Sequence, residues 1–271
     1  MNERVLCLQK FIEERDLYGI FLTDPANIFY FSGFSGTGGD ATLFFSKEQA
    51  YILTDSRYTL QASEQCSDFV QIGKSAQDLS PIHEMVLSVS DCKIGFENTT
   101  ISYALWQKMQ RDFDSVSWIE LGNFPQSLRS VKYPEEIDKI RRACAISVQA
   151  LRETIPFIRA GVRENEIAAE LEYRLRRLGA EGTSFETIVA SGERSAMPHG
   201  TASSRILQEG DAVTVDFGGI YQGYASDMTR TFFVGTPNYA LIMIYHLLQS
   251  LLSVNLLLHQ LEFQVKLVLL Q

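Results

Sequence analysis

The chain has 271 residues, 45% of them hydrophobic and 21% charged, with a formal net charge of −9. That balance describes an ordinary water-soluble protein with enough length for two domains, and it excludes nonspecific nucleic-acid binding, since no basic patch with interleaved aromatics offsets the acidity. Cys7, Cys66, Cys92 and Cys144 lack C-x-x-C spacing, so zinc ribbons, redox motifs and a disulfide framework are set aside and reduced core thiols are expected.

The N-terminus places Val5, Leu8, Phe11 and Ile12 at helical spacing among charged residues. It has no uninterrupted apolar core of the kind a secretory signal needs, and a cytoplasmic location is expected. Strands are predicted at 19–22, 40–45, 50–54 and 93–96, with helices over 81–90 and 102–112 packed against them, an α/β layer. The turn at Gly122, Asn123, Phe124 and Pro125 closes a first domain, 1–124.

A second domain, 133–236, opens on Pro134 followed by Glu135 and Glu136. Proline lacks only a donor that would be unpaired at a helix start, and the acids face the positive end of the dipole. Ile137, Ile140, Cys144, Val148 and Leu151 are the expected core stripe of its first helix; Ile167, Leu171, Leu175 and Leu178 are that of the second, which stops at Gly179. A strand at 185–189 and a hairpin at 213–234 follow, so the order of elements is α+β with a largely antiparallel sheet.

That hairpin, VTVDFGGIYQGYASDMTRTFFV, carries Asp216 and Asp227. Side chains alternate across a strand, so parity decides which face each acid takes. A reversal centred on Tyr221-Gln222 sets the two acids opposite each other. A reversal centred on Gln222-Gly223 slips the pairing by two residues and keeps them on one face. Like charges held this close call for a cation or for water, and the apolar neighbours Val213, Val215, Phe217 and Phe232 favour a buried strand whose acids need a partner. His199 sits between Pro198 and Gly200 in a loop just upstream, where its imidazole is a candidate donor to a substrate oxygen.

From Leu241 onward there is no Gly, Pro or Asp, and leucines cluster. His246, Gln249, Asn255, His259 and Gln260 interrupt every window of membrane-spanning length, so 237–271 is expected to be a divergent leucine-rich tail that packs on protein, with no membrane partner.

The segments ETIVASGERSAMPHG (186–200) and VDFGGIYQGYASDMTRTF (215–232) resemble the pita-bread metallopeptidases, and the SG-x-RS-x-x-PHG form resembles their Xaa-Pro branch, Xaa-Pro dipeptidase (prolidase) and aminopeptidase P. Residues 24–34 and the run Thr54, Asp55, Ser56, Arg57, Tyr58 are similar to the creatinase-like domain that precedes the catalytic domain in that branch. The resemblance implies an α/β creatinase-like N-terminal domain followed by an α+β pita-bread catalytic domain. It also implies two divalent metal ions (manganese, cobalt or zinc) and proline-containing peptides as substrates, with a homodimer as the expected assembly. By motif match Asp216 and Asp227 would be metal ligands and His199 a substrate-binding residue. Tyr221, Ser226, Thr229 and Arg230 belong to the same signature without an assigned role.

The family pattern also implies one later histidine in a glycine-rich motif and two later glutamates. After Asp227 this sequence offers only His246, His259 and Glu262. The expectation is therefore an incomplete catalytic domain, from truncation or frameshift, with weak metal binding and little or no peptidase activity, two carboxylates being too few for two coordination spheres. A metal-free peptide-binding relative of the fold and a creatinase-like amidinohydrolase are the alternatives; both acids would be idle in either.

Overall fold

The computed structural model describes residues 3–251. These form two compact units, and the chain passes from one to the other between Tyr133 and Pro134.

The first unit runs α1 (Glu3–Glu14), β1 (Gly19–Leu22), α2 (Pro25–Ser32), β2 (Ala41–Ser46), β3 (Ala50–Thr54), α3 (Thr59–Gln65), β4 (Val70–Ile72), α4 (Ser80–Val86), β5 (Lys93–Phe96), α5 (Tyr103–Asp112), β6 (Ser117–Glu120) and α6 (Phe124–Ser130). Its six strands lie in the order β4-β3-β2-β1-β5-β6, mixed parallel and antiparallel. Both faces are covered. Ile20, Leu22, Leu43 and Phe45 join one core with Leu8 and Ile12 of α1, while Phe21 and Phe44 join the other with Ile82 of α4 and Met109 of α5. Coverage on both sides is why β1 and β2 read as unbroken apolar runs. Asp24 caps α2 by accepting from the amides of Ala26 and Asn27, and Gly33 ends it at φ 80°.

The second unit opens with α7 (Pro134–Thr154) and α8 (Glu164–Arg177) and continues with β7 (Gly182–Thr183), β8 (Ile188–Ser191), β9 (Ala212–Phe217), β10 (Gly219–Tyr221), β11 (Tyr224–Ala225) and β12 (Met228–Phe233). Two three-stranded antiparallel sheets result, β11-β10-β7 and β12-β9-β8. Ile167, Leu171 and Leu175 of α8 pack with Val213, Val215 and Phe217 of β9 in one core.

Three expectations need correction. The buried face of α7 is Glu136, Ala143, Ile146, Ser147, Ala150, Leu151 and Thr154, while Ile137 and Cys144 are exposed. The reason is close approach to β10 and β11: small residues admit them, Ser147 Oγ meets Ser226 Oγ at 2.7 Å, and the Tyr224 hydroxyl donates to Glu136 at 2.8 Å. The strand predicted from 185 begins at Ile188, after a non-strand stretch at 184–187. All four cysteines are free, but only Cys66 and Cys92 are core thiols.

Residues 239–251 are helical, with Asn238 Oδ1 accepting the Leu241 amide at the start. His246 is exposed on that helix; His259 and Glu262 lie outside the described residues, as does the rest of the expected leucine-rich tail. Among the described residues no helix is long and apolar enough to cross a membrane.

Candidate metal and substrate site

The reversal in the hairpin falls on Gln222 and Gly223, at φ 48° and 77°. Two consecutive positive φ values are the signature of a turn whose twist matches a hairpin, and glycine at the second position makes it accessible. Tyr221 therefore pairs with Tyr224, and the same register carries through to Asp216 opposite Thr229. Of the two registers open from sequence, this is the slipped one: Asp227, one residue before β12, takes the diagonal position from Asp216, roughly 7 Å away by the spacing of antiparallel neighbours. The link between β9 and β10 is tight, because a Cβ at Gly218 would stand 1.9 Å from the Ser226 carbonyl oxygen.

The acids share a face, and that face is open. Val213, Val215 and Phe217 point into the core while Ala212, Thr214 and Asp216 are half-buried and Asp227 is exposed. The strand is buried on one side only, so the acids are not sealed as the apolar neighbours suggested. The Thr229 hydroxyl donates to Asp216 Oδ1 at 2.8 Å, fixing one carboxylate oxygen and leaving the other for a further partner. Thr229 thus gains a contact that the motif alone did not assign it. Ser226 is structural: it is buried, and its hydroxyl accepts the Gly219 amide at 3.0 Å.

His199 is exposed in a turn that follows a short 3-10 segment, Gly192–Ala196. The loop rejoins the sheet at once, since Thr201 bridges Ile188, whose partner on β9 is Asp216. Thr201, Ile188, Asp216 and Thr229 thus form one row across the strands, and two inter-strand steps put Thr201 roughly 10 Å from Asp216.

What holds that loop was not legible from the motif. Glu164, the first residue of α8, is fully buried. Its Oε1 accepts the amide and hydroxyl of Ser191, each at 2.7 Å. Its Oε2 accepts the Ser203 amide at 3.1 Å, the Ser203 hydroxyl at 2.6 Å and Arg194 Nε at 3.1 Å. Burial alone would raise the carboxyl, but the bonds from Ser203 and Ser191 outweigh it and hold Glu164 below the usual carboxylate range. Beside it Arg205 pairs with Asp211 at 2.6 Å. Gly192 must be glycine there: its φ is +56°, and a Cβ would meet the Arg205 guanidinium at 2.5 Å.

Residues 4–131 match the Creatinase/Prolidase N-terminal domain and residues 138–256 match Metallopeptidase family M24. The Xaa-Pro dipeptidase of Bacillus anthracis is 36% identical, with a TM-score of 0.82 over 90% of this chain and 68% of that one. The chain belongs to the M24 metallopeptidase family. Its architecture is accordingly a creatinase-like α/β domain followed by M24 pita-bread sequence. The prolidase from Pyrococcus furiosus gives 34% identity and a TM-score of 0.77, covering 88% of this chain and 68% of the other. Among curated relatives, an uncharacterized peptidase of Bacillus subtilis is 36% identical over 84% of this chain and 64% of its own length, and the Xaa-Pro dipeptidase of Pyrococcus furiosus is 35% identical over 88% and 66%. The chain spans about two thirds of the length of those relatives.

M24 membership invites a test of the donors present. The carboxylate oxygens of Asp216 and Asp227, on one open face, fit an oxygen-preferring divalent ion in kind and placement. They do not fit a two-ion centre in number. Among the described residues no group of three or more His, Cys, Asp or Glu side chains is placed to share an ion.

Proposed function

We propose that this chain carries the carboxylate half of a metal-dependent Xaa-Pro peptidase site. Asp216 and Asp227 face the ion and His199 faces the substrate, a peptide cleaved on the N-terminal side of proline. The observation that supports the assignment is the row across the sheet: one register sets both acids on a single open face, and the His199 loop is bridged to that sheet through Ile188.

Bound divalent ions would supply Lewis acidity toward a scissile carbonyl and a more acidic water. The chain's own contribution is orientation. Thr229 holds Asp216 Oδ1, the tight turn fixes the register, and the anchored loop presents an imidazole that can hydrogen-bond a substrate oxygen. Two carboxylates are too few for two ions, so weak binding and turnover near background are expected of the described residues alone.

Metal content and Xaa-Pro dipeptide hydrolysis of the purified chain with Mn²⁺ test this. Weak binding that is abolished in Asp216→Asn and Asp227→Asn is the expected result. Binding unaffected by those changes sinks the ligand assignment, and two tightly bound ions with turnover sinks the incomplete-site reading. A metal-free peptide-binding role is favoured by one observation: Asp227 is exposed, Asp216 is only half-buried and the two are diagonal, so water moderates their repulsion without an ion. Peptide binding indifferent to Mn²⁺ and to Asp216→Asn would select it.

A further inference from the structure

We propose that Glu164 is the positioning residue for His199: its buried carboxylate ties both ends of the 191–203 loop to the first turn of α8 and so sets where the imidazole stands. The inference rests on the reading of His199 as the substrate-facing histidine. Glu164 itself is 0% exposed, so it acts only through the loop.

The geometry is that of a clasp. Ser191, at the end of β8, and Ser203, where the loop returns, each give both an amide and a hydroxyl to the same carboxylate. Arg194 adds a third tie, with Nε on Glu164 and Nη2 on the Thr201 carbonyl oxygen at 2.7 Å. His199 lies between these ties, and its own carbonyl oxygen accepts the Thr201 amide at 2.9 Å. Backbone bonds join the same two segments: the amides of Glu164 and Asn165 donate to the carbonyls of Arg205 and Ser203, each at 3.0 Å. Five donors, one of them cationic, match an acceptor-only carboxylate; the amide of glutamine would turn its own N–H groups toward some of them.

The test is hydrogen exchange on the full chain, comparing wild type with Glu164→Gln. Amides of 192–203 are expected to exchange at least tenfold faster in the variant, with 213–217 and 228–233 unchanged. Unchanged exchange in 192–203 would overturn the proposal, as would equal acceleration in β9 and β12, which a general packing role predicts. Should Glu164→Gln fail to fold, Ser203→Ala removes one hydroxyl tie and is expected to give the same local pattern at smaller amplitude. A second readout follows the His199 imidazole resonance during titration with an Ala-Pro dipeptide. If the peptide shifts it in wild type, Glu164→Gln is expected to weaken that binding at least tenfold, and equal affinity overturns the positioning role. If the peptide leaves His199 untouched in wild type, the substrate reading of His199 fails, while the exchange pattern still decides what Glu164 positions.

Discussion

Glu97 in the first unit and Glu164 in the second are each sealed beside the start of a helix, and the two are held by different means. Glu97, 2% exposed, sits below the entry to α2 and accepts the amides of Thr23 and Asp24, at 2.5 and 2.8 Å, with the Asn27 side-chain amide on its other oxygen. Glu164, 0% exposed, accepts two amides, two hydroxyls and a guanidinium. Burial pushes Glu97 above the usual carboxylate range despite its hydrogen bonds, whereas at Glu164 the bonds win and the group lies below it. Two glutamates closed to solvent therefore shift in opposite directions: desolvation prevails at Glu97, and the bonds from Ser203 and Ser191 prevail at Glu164.

The largest effect that would break this contrast is truncation. Glu164→Ala leaves the four serine donors unpaired beside a buried cavity, breaks the tie to the part-exposed Arg194, and is expected to cost about 3–5 kcal/mol in the second unit. Glu97→Ala leaves four neutral donors, the Thr23 hydroxyl among them, and is expected to cost about 1–3 kcal/mol in the first. Native-state hydrogen exchange, followed separately in the β1–β5 and β8–β9 strand pairs, measures both. A larger loss at Glu97 would mean that the cation contributes little.

Acidity separates the two more sharply. The folded value of Glu164 is depressed, so its contribution is present above the unfolded carboxylate pKa, about 4.3, and is lost as pH falls through the folded value. That of Glu97 is raised, so its contribution is complete below the unfolded value and is lost as pH rises through the folded one. Half-buried acids of the first unit, such as Asp40 and Asp55, have lowered values and pull against Glu97. The discriminating quantity is thus the difference between wild type and each glutamine variant. As pH drops from 7 toward 3, the wild-type advantage over Glu164→Gln should shrink and that over Glu97→Gln should grow. The same sign for both would contradict the assigned directions.

How far these features were legible in sequence differs with the range of the interactions that make them. The shared face of Asp216 and Asp227 follows from a period of two within one hairpin, and it was readable. The register was not, because it hung on whether Gln222 would accept a positive φ beside Gly223. The face of α7 was misread because Ala143, Ser147 and Ala150 carry little hydrophobic signal, yet small size is what lets β10 and β11 approach. Glu164 was invisible among the acids that open α8, where Glu166 makes the ordinary local bond to the Arg163 amide at 2.8 Å. The only sequence signal was the pair of serines at either end of the His199 loop, and nothing local ties Ser191 or Ser203 to a glutamate 27 or 39 positions earlier.

Smaller substitutions ask whether the strength of the clasp comes from its burial. Ser203→Ala deletes a 2.6 Å hydroxyl bond to Glu164 and is expected to cost about 1–2 kcal/mol, since a bond to a charged acceptor inside the protein is lost without water to replace it. Thr229→Val deletes a 2.8 Å hydroxyl bond to a carboxylate as well, but Thr229 is exposed and Asp216 half-buried. Water can take the vacated lone pair, and valine suits a strand, so stability is expected to stay within about 0.5 kcal/mol of wild type. Chemical denaturation of the two variants side by side gives the comparison. A cost for Thr229→Val equal to that for Ser203→Ala would mean that the hydroxyl–carboxylate bond has the same worth in water as under α8, and that Glu164 owes its hold on the loop to the number of its donors and not to its burial.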